Sequence, residues 1–315
     1  MAIRTGLTTG VLLMTFGSAT DAGGVPAYMR SVHQGHEPDP ALVAEFERRY
    51  RLVGRSPLVE ITLAQGRALQ AELDGDFAPG RFLVAVGMLH SEPTIRRAVD
   101  DLMARGVHQV LAVTLAPQFS PLILSGYRQT LDRIAAATGV EIGLAGAWHA
   151  EPEFVASLAG RLVAALDSLP AAERNTAPVI FTAHSLPLRV IERDPGYIDQ
   201  LTETAEAVAA RVALPRHRWQ FAYQSAGHSP EPWLKPDLVD LLPGLRAQGH
   251  REVVIAPLQF VADHLEILYD LDMAARDQAE AAGLGYRRIP MPNTDPAFIR
   301  ALAAVVRREA AEPVH

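Results

Sequence analysis

Short apolar runs rich in β-branched residues alternate along the chain with longer stretches in which apolar positions recur every three or four residues. The short runs fall at residues 10–15, 82–87, 110–115 and 142–146, and again at 179–183, 219–224, 252–256 and 286–289. Each predicts a strand. Helical patterns separate most of them, as at 41–52, 58–73, 95–104, 153–169 and 197–212. This β–α alternation predicts parallel sheets with helices on both faces. Four strands followed by four predict two similar halves, and the chain carries a local echo of such a repeat. Leu102-Met103-Ala104-Arg105-Gly106 followed by Val110 matches Leu245-Arg246-Ala247-Gln248-Gly249 followed by Val253. In each case a helix is expected to end at the glycine, with a strand a few residues on.

The expected architecture is therefore α/β, with two similar Rossmann-like domains, each a doubly wound parallel sheet. The expected boundaries are 1–150 for the N-terminal half and 151–315 for the C-terminal half, the last helix packing back on the first. Ligands of such folds bind outside the carboxyl ends of the strands, so the cleft between the halves is the expected active site.

Composition narrows the chemistry. The 315 residues are enough for one large or two ordinary domains with a sizeable core. A formal net charge of −7 argues against nucleic acid as a partner, because phosphate binding needs a basic face. A small anion held by a few local bases stays open. The chain has no cysteine, which excludes disulfides, thiolate catalysis, Cys-ligated zinc and iron–sulfur clusters. It leaves metals held by His, Asp or Glu, and it fits the cytoplasm. No apolar run approaches the roughly 20 residues of a membrane span. The start, residues 1–9 with Arg4, loosely mimics a signal peptide, but its apolar run is short and leads straight into Phe16-Gly17-Ser18, a buried strand and turn. Residues 22–26, with Gly23-Gly24, read as a mobile loop after the first strand. There is no Gly-rich dinucleotide fingerprint and no phosphate-loop lysine.

Three segments carry chemistry. In Val179-Ile180-Phe181-Thr182-Ala183-His184-Ser185-Leu186-Pro187, an apolar strand delivers a histidine at its carboxyl end. Imidazole changes charge near neutral pH and ligates borderline metals. A packed or capping histidine is the plain alternative. The second segment is Phe260-Val261-Ala262-Asp263-His264-Leu265-Glu266-Ile267-Leu268-Tyr269-Asp270-Leu271-Asp272. On a helix, Asp263, Glu266 and Asp270 share one face, while His264, Ile267, Leu268 and Leu271 share another that looks like core. A stripe of like charges is unfavourable unless it faces a cation; a solvated helix face is the commoner meaning of such a stripe. The third segment runs Tyr223-Gln224-Ser225-Ala226-Gly227-His228-Ser229-Pro230-Glu231-Pro232-Trp233-Leu234-Lys235-Pro236. A rigid loop with an aromatic suits a flat apolar ligand; a structural turn anchored by Trp233 is the alternative.

Together these segments closely resemble the ferrochelatase family. The likeness extends over nearly the whole chain, through Gly54-Arg55-Ser56-Pro57-Leu58, Gly87-Met88-Leu89-His90-Ser91-Glu92-Pro93, Leu115-Ala116-Pro117-Gln118-Phe119-Ser120 and Met291-Pro292-Asn293. The short, cysteine-free form looks most like the bacterial enzymes that act on coproporphyrin III. The resemblance implies a lyase of haem biosynthesis that inserts ferrous iron, as substrate, into a porphyrin and needs no cofactor. His184 and Glu266 would be the catalytic and metal-handling pair, with Asp270 extending an acidic path. Phe16, His33, Arg49, Arg55, Ser56 and Tyr127 match positions that contact the macrocycle and its carboxylates. It also implies a cytoplasmic monomer that meets other haem-pathway enzymes only transiently.

Three departures stand out. Phe16 takes the place where those enzymes often have an axial tyrosine, and phenyl cannot ligate iron. His33-Gln34-Gly35-His36 replaces a basic cluster, which implies weaker or pH-dependent propionate binding. Ala274 occupies the place of the outermost acid. The implied mechanism bends the porphyrin so that its nitrogen lone pairs leave the plane, while His184 accepts a pyrrole proton and Glu266 delivers iron or relays protons. Other readings stay open. One is a protoporphyrin IX ferrochelatase. Another is a cobalt or nickel chelatase for another tetrapyrrole, usually built around more than one metal-facing histidine; His90 and His264 keep that reading alive. The last is a porphyrin or haem carrier, which would not need the acidic stripe. Iron-dependent loss of free-porphyrin fluorescence over multiple turnovers separates enzyme from carrier.

Overall fold

The computed structural model of the protein describes residues 8–227 and 230–311. The first seven residues, including Arg4 of the signal-like start, and His228 and Ser229 of the third motif lie outside the described residues. The chain divides into two compact units. The first comprises Met1–Glu153 with the short pieces Ala262–Leu265 and Asn293–His315; the second comprises Phe154–Val261 with Glu266–Pro292.

In the first unit, strands β1 (Thr9–Thr15), β2 (Phe82–Met88), β3 (Gln109–Thr114) and β4 (Glu141–Leu144) form a parallel sheet in the order β2-β1-β3-β4. Strand β1 is central and buried on both faces, which is why its sequence is continuously apolar rather than alternating. Helices α1 (Val25–Val32), α2 (Pro40–Val53), α3 (Leu58–Asp76), α4 (Ile95–Ala104) and α5 (Ser125–Thr138) complete most of the unit. Leu12, Met14, Val110 and Ala112 pack against Val99 and Leu102 of α4 and Leu131 and Ile134 of α5. Helix α3 packs on β2.

In the second unit, β5 (Val179–His184), β6 (Trp219–Gln224), β7 (Glu252–Pro257) and β8 (Gly285–Arg288) form a second parallel sheet in the order β6-β5-β7-β8. The two sheets therefore share one strand order, as expected of a repeated half. Its helices are α6 (Pro152–Asp167), α7 (Leu188–Arg193), α8 (Gly196–Arg211), α9 (Leu238–Ala247) and α10 (Arg276–Ala281), with a π-helical segment, Ile267–Ala275, leading into the last of these. Ile180, Val253 and Ile255 pack against Leu242 and Leu245 of α9 and Ile267 and Leu271 of the π segment. The echo seen in the sequence has a matching backbone: Gly106 (φ 81°) and Gly249 (φ 93°) both adopt left-handed conformations just after a helix. Val107 N donates to Leu102 O and His250 N to Leu245 O, both at 3.2 Å.

The last helix, α11 (Pro296–Ala311), belongs to the first unit and packs on α3. No helix among the described residues is long and apolar enough to cross a membrane.

Candidate active site

Strand β5 ends at His184, at the carboxyl edge of the second sheet. Its ring is held from several sides. Nδ1 is in hydrogen-bonding contact with the Ser185 carbonyl. A carbonyl oxygen only accepts, so Nδ1 is the donor in that contact, and in the neutral form of the ring the lone pair is on Nε2. Nε2 stands 3.5 Å from Glu266 Oε2, with the two side chains 26% and 35% exposed. Phe260 closes another side, edge-on at 6.4 Å.

The backbone beneath the ring is anchored by a side chain. Leu258 N donates to Thr182 O at 2.9 Å, the last rung between β5 and β7. The chain then turns away, and the His184 N–H donates instead to Gln259 Oε1 at 2.8 Å. Gln259 Nε2 in turn donates to the Tyr197 hydroxyl at 2.6 Å. Tyr197 is fully buried, and burial pushes its phenol up, out of the range in which it would ionise. On the other side of β5, Gln224 Oε1 accepts from Thr182 Oγ1 at 2.7 Å, and Ser185 N donates to Gln224 O at 2.7 Å.

Glu266 stands at the start of the π segment, and Asp270 follows one turn on. Four residues apart, they remain on one face. The Ser225 hydroxyl donates to Asp270 Oδ2. Ser225 is a non-glycine residue with φ 58°, a conformation that orients its side chain at a modest cost. The loops after β5 and β6 are laced together: Leu188 N donates to Pro232 O at 3.0 Å and Leu234 N to Leu186 O at 2.9 Å. The Trp233 ring lies on Gly227, where an added Cβ would come within 2.5 Å of it. Trp233 is thus the anchor of this loop, and Gly227 is the residue that lets it seat.

One feature of the acidic stripe is corrected. Asp263 precedes the helical residues, so it does not share a face with Glu266 and Asp270. It belongs to the first unit, where its backbone N–H donates to Asn293 Oδ1 at 2.9 Å and its carboxylate accepts from Asn293 Nδ2 at 2.7 Å. Among the described residues, no group of three or more His, Asp and Glu side chains is arranged to hold a metal ion. His184 and Glu266 stand as a pair. Two donor atoms each about 2.1 Å from a shared tetrahedral cation lie about 3.4 Å apart, and the observed spacing meets that geometry.

The first unit carries the remaining sequence-predicted residues. Phe16, just past the end of β1, is 43% exposed and meets His90 edge-on at 4.5 Å. His90 Nδ1 is 3.1 Å from Ser31 Oγ, and partial burial holds its pKa below the ordinary value. His33 ends α1, exposed, its N–H donating to Met29 O at 2.9 Å. Arg49 Nε donates to Glu45 Oε1 at 2.8 Å, and its guanidinium lies over the Phe46 ring. Hydrogen bonds from Arg48 and Arg49 pull Glu45 down to about 2. Arg55 is exposed and donates to Glu60 at 2.6 Å. Ser56 and Tyr127, by contrast, are interior. Ser56 Oγ accepts from Ser18 Oγ at 2.9 Å, in a network with the Tyr50 hydroxyl, and Tyr127 sits within the core of the first sheet.

Gln259 and Tyr197 have no counterpart among the sequence-predicted site residues. The one signal was local: Gln259 lies two residues past Pro257, where β7 ends.

The chain matches the sequence profile of the family described as Ferrochelatase over residues 8–310. It is 40% identical over 307 residues to a Ferrochelatase of Deinococcus radiodurans, covering 96% of each chain. It is 36% identical over 308 residues to a Coproporphyrin III ferrochelatase of Geobacillus thermodenitrificans, covering 97% of each. Among solved structures it resembles SirB from Bacillus subtilis with Fe3+, at a TM-score of 0.62 and 13% identity, covering 97% of this chain and 96% of that one. At that identity the likeness speaks for the fold.

Proposed function

The chain belongs to the ferrochelatase family and is a porphyrin metal chelatase of the lyase class; from that premise we propose that it inserts ferrous iron into coproporphyrin III, with His184 and Glu266 as the reacting pair. The observation that carries the reading is the 3.5 Å between His184 Nε2 and Glu266 Oε2. With the ring proton on Nδ1, an imidazole lone pair faces a carboxylate oxygen. Two such groups repel unless a proton or a cation lies between them, and the reaction supplies both. A free porphyrin loses two pyrrole protons as its four nitrogens take up the iron. Nε2 accepts a proton, and Glu266 passes iron inward or protons outward. General acid–base steps of this kind contribute about 10²–10⁴ in rate. Asp270, set by Ser225, continues the polar path, and Ala274 ends it.

Iron is substrate here, and the absence of cysteine rules out an iron–sulfur cluster. In the first unit we assign macrocycle contacts to Phe16 and carboxylate contacts to His33, Arg49 and Arg55, with Ser56 and Tyr127 supporting them from within. The cysteine-free chain suits a reducing compartment, and we assign it to the cytoplasm as a monomer. The relatives named for coproporphyrin III support the four-carboxylate substrate. Equal or better kcat/KM with protoporphyrin IX would overturn that choice.

The pair itself is tested by His184→Ala and Glu266→Gln. Each is expected to lose iron insertion by at least a hundredfold, while fluorescence titration shows the porphyrin still binding. Near-normal specific activity in folded His184→Ala protein would overturn the assignment.

A further inference from the structure

The geometry points to a second binding site, on the second unit, for a small oxyanion carrying two or more negative charges. A cavity of about 360 Å³ is lined by residues of α6, the start of α10, and β8 with the turn that follows it. Four of its lining residues are arginines: Arg161, Arg276, Arg287 and Arg288. Arg276 and Arg288 share Asp272, and Arg287 faces Glu252. Three guanidinium groups thus meet two carboxylates on this wall, in a chain whose net charge is −7.

The arginines divide by what they already do. Arg288 is spent: it holds both Asp272 oxygens at 2.7 Å and the Ile289 carbonyl at 2.9 Å. Arg161 is fixed into the wall by the Ser157 carbonyl at 2.7 Å and the Pro292 carbonyl at 3.3 Å. Arg276 and Arg287 stand differently. Each is 3.9 Å from its carboxylate, too far for a hydrogen bond, and their side chains are 47% and 40% exposed. Their forks retain donor capacity toward the cavity.

A second, independent observation falls on the same wall. Of eight buried side-chain polar atoms without a hydrogen-bond partner among the described residues, two are neighbours here: the Tyr286 hydroxyl and Arg287 Nε. Burial, with Asp272 nearby, keeps the phenol protonated and therefore a donor. Sealed donors without acceptors are unfavourable and rare. Guanidinium forks match the oxygens of carboxylate and phosphate in pairs. An oxyanion resting on the exposed ends of Arg276 and Arg287 would give those forks the acceptors they lack. Ala164 and Ala165 of α6, with Ser168 just past its end, leave the room. A space of this size admits a small metabolite and no polymer.

Isothermal titration of the full chain with pyrophosphate and with citrate, at matched ionic strength, tests the site. We expect saturable binding near one equivalent by at least one probe, and the stronger probe identifies the oxyanion as phosphate or carboxylate. Arg276→Ala with Arg287→Ala should weaken it at least tenfold while leaving the iron-insertion rate unchanged. Failure of both probes to saturate, or unchanged affinity in the variant, would overturn the assignment. Should the double variant not fold, the single Arg276→Ala, at a half-exposed position, carries the same comparison.

Discussion

Replacing Gln259 with methionine keeps the length of the side chain and removes both of its hydrogen bonds. The His184 N–H loses its acceptor at 2.8 Å, and the Tyr197 hydroxyl loses its donor at 2.6 Å. Tyr197 is 1% exposed, so water does not replace the lost partner. A buried polar group left unsatisfied costs about 1–3 kcal/mol. The His184 amide sits at a partly exposed strand end, where the cost falls near the low end of that range. Together the expected loss is about 2–4 kcal/mol, read as a shift of the urea midpoint at constant slope. The variant Gln259→Met with Tyr197→Phe leaves no hydroxyl to satisfy, so it should recover about 1–2 kcal/mol relative to the sum of the singles. Activity gives a separate reading. His184 is held where β7 no longer supports it, so Gln259→Met should lower kcat for iron insertion with little change in porphyrin KM. Gln259→Glu still accepts the His184 N–H, and should restore most of the rate. A single variant within about 0.5 kcal/mol of wild type by urea unfolding, with unchanged kcat, would refute the reasoning.

Arg49→Ala should raise the porphyrin KM roughly ten- to a hundredfold with kcat nearly constant, since a charge-assisted contact to a carboxylate is worth about 1.5–3 kcal/mol in both ground and transition states; an unchanged KM removes Arg49 from the contact set. The stability of that variant should hardly move, because Arg48 still holds Glu45 at 2.8 Å. His90 titrates below its ordinary value of 6.5 in the folded protein, chiefly through burial, so the unfolded chain binds the proton first as pH falls. Stability carried by neutral His90 is therefore present above 6.5 and is lost as pH drops from there through the folded value. His90→Asn should lose less stability than wild type between neutral and mildly acidic buffer, and parallel losses in denaturant titrations would contradict this.

Much of the scaffold was readable because burial on both faces leaves an unmistakable mark. The continuous apolar run of β1 and the three-to-four spacing of α4 could hardly be anything else, and the predicted 95–104 and 219–224 coincide with α4 and β6. His184 was legible for the same reason: an apolar strand has only one carboxyl end. The π segment was not, since an acid four residues after another stays on the same face in either helix type. Asp263 went astray because its partner, Asn293, is 30 residues away and nothing local announces the pair. Tyr127 was named only through the family resemblance; its spacing with Leu131 and Ile134, which marks a buried helix face, was there in the sequence as well. Gln259 acts on a residue 75 positions earlier, through a backbone amide that sequence does not display.

The order in which the chain is made adds a timetable to this connectivity. Gln65 Nε2 bonds the Asn293 carbonyl across 228 positions, and α11 lies on α3. At about 5–20 residues per second of synthesis, roughly 10–50 seconds separate the appearance of those partners. For most of that interval, once residue 114 is made, β1, β2 and β3 are available while the helix that covers α3 does not yet exist. The second unit needs nothing beyond Pro292 and is complete first. A chain truncated after residue 292 and released should therefore show a protease-resistant second unit beside a first unit that is still open to cleavage and to chaperones.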